Sequence, residues 1–367
     1  MIEVADVLRQ YGPAYLEQFG KKMPASHQRA FEDILRCRTA ALGGHLYECS
    51  ECGRQLYSYH SCRNRSCPKC HASDTQSWLH QRQAELLPVP YYHVIFTLPQ
   101  ELRGVTRLHQ KPLYALLMQS AAHAILKLAA DPHYVGGLVG VMAVLHTWGS
   151  NLAYHPHVHC LVTGGGASAD RQVWLPARDQ YLVPVKALSK LFRGIVLNRI
   201  RRRLPEIKLP SSLWHKDWVV HCKPAVQGTQ KVLEYLGRYI HRVAITNSRI
   251  VSIDDGKVTF RYRDSRTAQA KTMTLDANEF IRRFLQHILP SRVHKVRYYG
   301  LWSPSHRDHL RTWQDRLAKP SPQEQSPPRL DPPLEVPSPP QGRPCPYCKT
   351  GTLIWIRRLP AQGRAPP

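Results

Sequence analysis

Apolar residues recur at helical spacing near the start of the chain. Val7, Leu8, Tyr11, Tyr15, Leu16 and Phe19 share one face and predict one or two short amphipathic helices over residues 4–35. The pattern then breaks, and residues 37–71 are rich in Cys, His, Arg and Gly without aliphatic periodicity, the mark of a module built on metal. Tyr92-His-Val-Ile-Phe-Thr97 reads as a strand closed by Leu98-Pro99. Pro112 to Ala130 predicts a helix with proline in its first turn and Asp131-Pro132 past its end. Gly137–Thr147 and His157–Thr163 read as neighbouring strands, the second ending at Gly164-Gly-Gly166, taken as a flexible loop. Helices are predicted over Ala187–Leu204 and Thr229–Arg242, the latter with Thr229 as N-cap after Gly228. Arg249–Ile253 and Val258–Arg263 flank Asp254-Asp-Gly-Lys257, a hairpin signature. Asp276, with Glu279 three residues on, predicts the N-cap of a helix over Phe280–Leu289.

These signals divide the chain. Residues 1–36 form N-terminal helices, 37–75 a zinc-binding module and 76–318 an α+β core. Ten of the 25 residues Pro320–Pro344 are proline, so 319–344 is an extended linker, followed by a short Cys-x2-Cys tail over 345–367. With 367 residues and 43% hydrophobic content, the chain can bury a genuine core.

Charge narrows the partners. Lys and Arg total 51 against 26 Asp and Glu, a formal charge of +25, which fits a polyanion such as DNA. A membrane partner is not expected: the longest apolar run, Tyr134–Leu145, is 12 residues and holds three glycines. The N-terminus has acidic residues and no charged-then-apolar signal pattern, so a cytoplasmic location is expected. In that reducing setting the ten cysteines read as metal ligands and buried thiols before disulfides.

Cys49-x2-Cys52, 14 residues, then Cys67-x2-Cys70 predicts a structural Zn²⁺ site. Four thiolates saturate the ion, so its role is to hold a fold. Cys37, His45, His60, Cys62 and His71 suffice for a second ion, but the preferred reading makes them packing or DNA-facing residues. Arg63 and Arg65 decorate the loop as candidate DNA contacts, and Arg201, Arg202 and Arg203 form a basic run on a helix. Cys345-x2-Cys348 supplies only two thiolates and does not close a site alone.

On a strand, residues two apart face the same way, so His157 and His159 project together and form a divalent-metal pair. His155 would extend the row, although Pro156 interrupts the ladder beside it. Candidates for the third ligand are His155, His146 on the preceding strand and a side chain from the helix over 229–242. Phosphate chemistry suits Mg²⁺ or Mn²⁺, although imidazoles alone favour Zn²⁺. Tyr235 and Tyr239 lie one turn apart on the predicted helix, with Arg238 and Arg242 beside them. A phenol with a pKa of about 10 attacks only with help, and a metal-bound phosphate supplies it. No Walker-type loop is present, in keeping with chemistry that needs no nucleotide cofactor.

Histidine–hydrophobe–histidine upstream of Tyr235-Leu-Gly-Arg-Tyr239 resembles the HUH endonuclease superfamily. More closely, the chain resembles the two-tyrosine rolling-circle transposases of bacterial insertion sequences, the "IS ninety-one" family. The likeness runs from Cys37 to Gly300 through Leu42-Gly-Gly-His45, Ser61-Cys-Arg-Asn-Arg65, Cys67-Pro-Lys-Cys70 and Leu87-Pro-Val-Pro90. It continues through His93-Val-Ile-Phe-Thr-Leu-Pro99, His146-Thr-Trp-Gly149, His155-Pro-His-Val-His159, His241-Arg-Val-Ala-Ile245 and Arg297-Tyr-Tyr-Gly300. It implies an HUH-type nuclease core with a central antiparallel sheet flanked by helices, plus a small N-terminal zinc-binding domain that helps recognise transposon ends. It also implies His157 and His159 as ligands of a catalytic metal, and Tyr235 and Tyr239 as nucleophiles on single-stranded or melted DNA, through a 5′-phosphotyrosine. The linker and tail look atypical of the family. Rival readings are a zinc-dependent DNA-binding regulator without catalysis and an HUH plasmid replication initiator or relaxase.

Overall fold

In a computed structural model, residues 1–70, 85–225, 237, 243–264, 267–318 and 343–362 are described. The chain divides into two compact units, one comprising Met1–Ile2 with His71–Lys319 and the other Glu3–Cys70 with Pro320–Pro367.

In the second unit, helices Val4–Phe19 (α1) and Ala25–Arg36 (α2) bury Val4, Val7, Leu8, Phe31 and Ile34, the apolar stripe read from the sequence. They are followed by strands Gly44–Cys49 (β1) and Gln55–Tyr59 (β2). A four-stranded sheet joins these to Arg343–Pro344 (β12) and Thr352–Leu359 (β13) in the order β12-β13-β1-β2. The register pairs Gly44 with Leu359 and Cys49 with Leu353. The C-terminal tail, expected to stand apart, is therefore a strand of the N-terminal module. The sequence hid this because the two pairing partners lie some 300 residues apart.

The first unit is built on strands Tyr91–Thr97 (β3), Leu138–Trp148 (β4), Tyr154–Ala167 (β5), Trp174–Pro176 (β6), Val220–Pro224 (β7) and, later in the chain, Val296–Gly300 (β11). Their order is β11-β4-β5-β3-β7, with β6 on β5, and neighbours pair antiparallel. Strand alternation sorts the side chains. Tyr92, Val94, Phe96, Val141, Ala143, Leu145, Val158, Cys160 and Val162 face one side, where they meet two helices. These are Gln110–Ala129 (α4), which follows the short Arg103–Leu108 (α3), and Val185–Arg203 (α5). Leu188, Phe192, Val196, Leu197 and Ile200 of α5 seal that core, and four-residue Ser212–His215 (α6) adds Leu213. Burying these aliphatic and aromatic side chains at roughly 1.5–3 kcal/mol each is what makes the sheet a rigid platform.

Among the described residues, the opposite face is only partly covered. Met142, Val144 and Leu161 pack with Tyr91, Trp302, Leu310 and Trp313, the last two from a helix over Arg307–Ala318 (α8). Further along the same face the histidines project. A meander of Ile250–Asp254 (β8), Lys257–Arg263 (β9) and Ala270–Asp276 (β10) leads into helix Ala277–Leu285 (α7). Asp276 does precede that helix, but its side chain makes no cap bond. Glu279 instead grips Arg282 and Arg283 at 2.6 and 2.7 Å.

Gly164-Gly-Gly166 does not end the strand. β5 runs through it, because a Cβ at Gly164 would sit 2.7 Å from the Pro90 carbonyl oxygen and one at Gly166 2.8 Å from Gly137. The glycines permit close backbone approach rather than flexibility. Among the described residues, no helix is long and apolar enough to cross a membrane.

Candidate metal centres

β4 and β5 place His146 directly opposite His157, and Val144 opposite His159. His159 lies two residues on from His157, so all three imidazoles share one face. Each offers a ring nitrogen within 4.8 Å of the others, and the ring centroids are 4.5 to 5.4 Å apart. His146 and His159 are buried and His157 is half-buried. Trp148 stacks on His146 with centroids 4.6 Å apart, fixing the ring.

The hydrogen bonds set the tautomers. His157 Nδ1 lies 2.7 Å from the His155 carbonyl oxygen, an acceptor only, so Nδ1–H donates and Nε2 carries the lone pair. His159 Nδ1 lies 2.8 Å from His93 Nε2, with the rings nearly parallel at 4°. With His159 Nδ1–H as donor, its Nε2 lone pair turns to the cluster, the arrangement by which an outer imidazole orients a ligand. Burial, with His157 and His221 adding, holds His93 well below the ordinary imidazole range, at about 4, so it stays neutral.

Of the expected ligands, His157 and His159 meet, and His146 supplies the third imidazole. His155 does not join them. Pro156 cannot donate to the ladder, and the β4–β5 register slips between His146 and Trp148, a bulge that turns His155 out of the row. Its Nδ1 instead accepts from the Arg103 guanidinium at 2.8 Å, and burial followed by His157 and Arg103 holds it at about 4. Arg103 and His155 line a cavity of about 520 Å³ with Ser150, Asn151, Tyr262 and Asp264. His93 was not legible as functional, since a lone histidine in an apolar strand reads as structural; only its alternation with Ile95 and Thr97 hinted at the shared face.

Tyr235, Tyr239, Arg238 and Arg242 lie outside the described residues. Arg201, Arg202 and Arg203 are exposed at the end of α5, on the helical layer that covers the sheet face away from the histidines. Arg203 bonds Gln119 at 3.2 Å, and Arg201 lies over the Trp214 ring at 5.7 Å. The structure therefore does not bring this basic run to the three imidazoles.

In the other unit the expected zinc quartet is split. Cys67 and Cys70 gather with Cys37 and Cys62, with Cys37–Cys70 and Cys62–Cys70 Sγ distances of 3.5 Å. Cys49 and Cys52 gather elsewhere, with Cys345 and Cys348. The reason is topological: β1 and β2 carry the two Cys-x2-Cys turns apart, while Arg38 N bonded to the His60 carbonyl at 3.1 Å draws Cys37 to Cys62. Arg63 and Arg65 stand exposed in the loop between Cys62 and Cys67. Four thiolates closing on one point suit a saturated, structural Zn²⁺.

One unit thus carries a sheet-borne cluster of imidazoles and the other carries clusters of thiols, both able to hold metal ions, and comparison with known proteins supplies the class. Residues 140–309 match the family described as "Putative transposase", and residues 7–98 the one described as "Transposase zinc-binding domain". The chain is 40% identical over 377 residues to "Putative transposase y4qJ" of Sinorhizobium fredii, covering 96% of this chain and 94% of that one. It is 30% identical over 283 residues to "Transposase for insertion sequence element IS801" of Pseudomonas savastanoi pv. phaseolicola, covering 73% and 68%. No solved structure matches the chain at a significant level. The chain belongs to the IS91-type transposase family.

Proposed function

We propose that the chain is an HUH-type transposase that nicks single-stranded or melted transposon ends and rejoins them through a 5′-phosphotyrosine, as in rolling-circle transposition. The observation that carries this reading is the convergence of His146, His157 and His159 on one face of a rigid sheet, with His93 behind them. Three protein ligands leave at least one coordination position for a phosphate oxygen. A divalent ion held there would act as a Lewis acid that polarises the scissile phosphate. Mg²⁺ and Mn²⁺ are the candidates, and an all-imidazole donor set tilts the choice toward Mn²⁺.

The remaining chemistry belongs to this chain's own residues. Oη of Tyr235 or Tyr239 gives up its proton and attacks phosphorus, the P–O3′ bond breaks, and the freed 3′-oxygen takes up a proton, so none is gained or lost overall. The phosphodiester energy is retained in the tyrosyl ester, so a later 3′-OH attack reverses the step without a nucleotide cofactor. Arg103, held against His155, stands ready to take a flanking backbone phosphate in its cavity. The cysteine module and the overall charge of +25 support DNA as the partner. A regulator without chemistry would have no use for a three-histidine cluster in which outer hydrogen bonds orient His157 and His159. A cytoplasmic location fits this work.

The test is a labelled single-stranded oligonucleotide carrying a transposon end, incubated with the protein and Mn²⁺ or Mg²⁺. A mass-shifted, protease-sensitive conjugate is expected, absent from the Tyr235→Phe/Tyr239→Phe double variant, which still binds DNA. An adduct formed by that double variant ends the tyrosine assignment.

A further inference from the structure

The tail that the sequence leaves unexplained begins with a turn built like the one that closes β1. In the first, Gly53 N–H donates to the Cys49 carbonyl at 3.1 Å, and Gly53 takes the left-handed conformation at φ 63°. In the second, Lys349 N–H donates to the Cys345 carbonyl at 3.0 Å, and Lys349 takes φ 64°. Backbone N–H groups also point at sulfur in both: Cys52 N to Cys49 Sγ at 3.5 Å, and Gly351 N to Cys348 Sγ at 3.4 Å. Such N–H···S bonds stabilise thiolates, the form that binds metal.

The two turns face each other. Cys49 and Cys348 Sγ are 3.6 Å apart, Cys52 and Cys345 Sγ 3.8 Å, and all four lie within 4.8 Å. Disulfides need about 2.05 Å, whereas thiolates about 2.3 Å from a tetrahedral ion are separated by about 3.8 Å. The approach is tight enough that a Cβ at Gly351 would fall 2.5 Å from Cys49 Sγ.

Beyond the β1–β13 ladder, the tail has little apolar packing to hold it. The apolar cluster around this junction contains only Cys49, Cys345 and Leu353 as buried members, and Ile354, Trp355 and Ile356 of β13 are exposed. A core this small cannot offset the entropy of ordering a terminal strand, so a staple is required.

We propose that Cys49, Cys52, Cys345 and Cys348 bind a second structural Zn²⁺, separate from the ion of Cys37, Cys62, Cys67 and Cys70, so that the C-terminus completes the N-terminal zinc-binding module. Neither family match reaches the tail cysteines. The ion ties β13 to β1, and the module reaches its finished form only when the last residues of the chain are present. This inference does not depend on the nuclease reading, since its measurements involve no DNA.

The test is zinc content of the full chain by elemental analysis, with amide hydrogen exchange. Two zinc ions per chain are expected. Cys345→Ser/Cys348→Ser and Cys49→Ser/Cys52→Ser should each retain one, and the variant combining all four substitutions should also retain one. Protection of β13 and the facing β1 amides should fall in these variants while β4 and β5 stay protected, which separates loss of the site from loss of the fold. One zinc in the unaltered chain, two in either double variant, or none in the fourfold variant would overturn the proposal. So would iron in place of zinc, visible as coloured protein.

Discussion

The imidazole cluster and the cysteine clusters are both groups that could hold a metal ion, yet they sit in opposite structural economies. His146, His157 and His159 stand on a sheet whose other face is sealed by α4 and α5, so the platform exists without an ion. Cys49 and Cys345 stand where the buried apolar set is very small, and there an ion would take the place of the core. Ligand number follows the same division. Four thiolates complete a tetrahedron and exclude substrate, whereas three imidazoles hold an ion and leave room for a phosphate oxygen. Whether a site is structural or reactive is decided as much by what lies behind it as by its donor atoms.

Removing ligands from each kind of site gives the widest expected separation. His157→Ala should lower nicking of a single-stranded oligonucleotide by about 10³-fold or more, with thermal unfolding of the core within about 4 °C of the parent. Cys37→Ser/Cys62→Ser should instead abolish exchange protection over residues 44–59, because metal binding there supplies on the order of 10 kcal/mol of folding free energy. Collapse of the core in His157→Ala as well would mean that the sheet too depends on its ion.

A smaller effect tests the outer imidazole. His93→Leu removes the partner of His159 Nδ1 and should weaken apparent Mn²⁺ affinity for nicking about 10–100-fold, with saturating Mn²⁺ restoring the rate. A rate that stays low at saturation would place His93 in the chemistry itself.

The core's independence of metal also has a pH signature. His287 is buried, its Nε2 directed at the Leu152 carbonyl at 3.1 Å and its Nδ1 at Thr147 Oγ1 at 3.2 Å. Burial, reinforced by Arg107 and Arg282, lowers its pKa from 6.5 to about 3, although the Leu152 carbonyl pulls the other way. Between those values the unfolded chain binds a proton that the folded chain refuses. Core stability should therefore fall as pH drops from 6.5 toward 3, by up to about 1.4 kcal/mol per unit from this group. His287→Gln should flatten that slope in chemical denaturation; an unchanged slope assigns the acid sensitivity elsewhere.

The smallest effect concerns charge placement. Arg201→Ala/Arg202→Ala/Arg203→Ala should leave nicking of a short oligonucleotide within about twofold, since these side chains lie behind the sheet, while the salt dependence of binding to long DNA becomes shallower. A tenfold loss on the short substrate would show that DNA wraps round to that face.

Periodicity was enough to read helices α1, α2, α4 and α5 and strands β3 and β4, because each buries a stripe or face that its own spacing declares. The His157/His159 pair was legible for the same reason, as neighbours two apart on one strand. Strands β1, β2, β7, β10, β11 and β13 were missed: short, half-exposed or edge-placed segments carry no clean alternation and owe their form to a partner strand. The sequence left His146 and His155 both open as the third imidazole, because the bulge beside Pro156 is set jointly by β4 and β5.

The sequence by itself determined what could bind: which residues are soft thiolates, which are imidazoles, and that a strongly basic chain carries both. Only the tertiary structure decided who meets whom. Cys49 joins Cys345 rather than Cys67, and His146 rather than His155 completes the histidine group. The physical reason is that spacing along a chain fixes only local direction, while ligand sets are closed by strand register between segments that may be neighbours in sequence or nearly 300 residues apart.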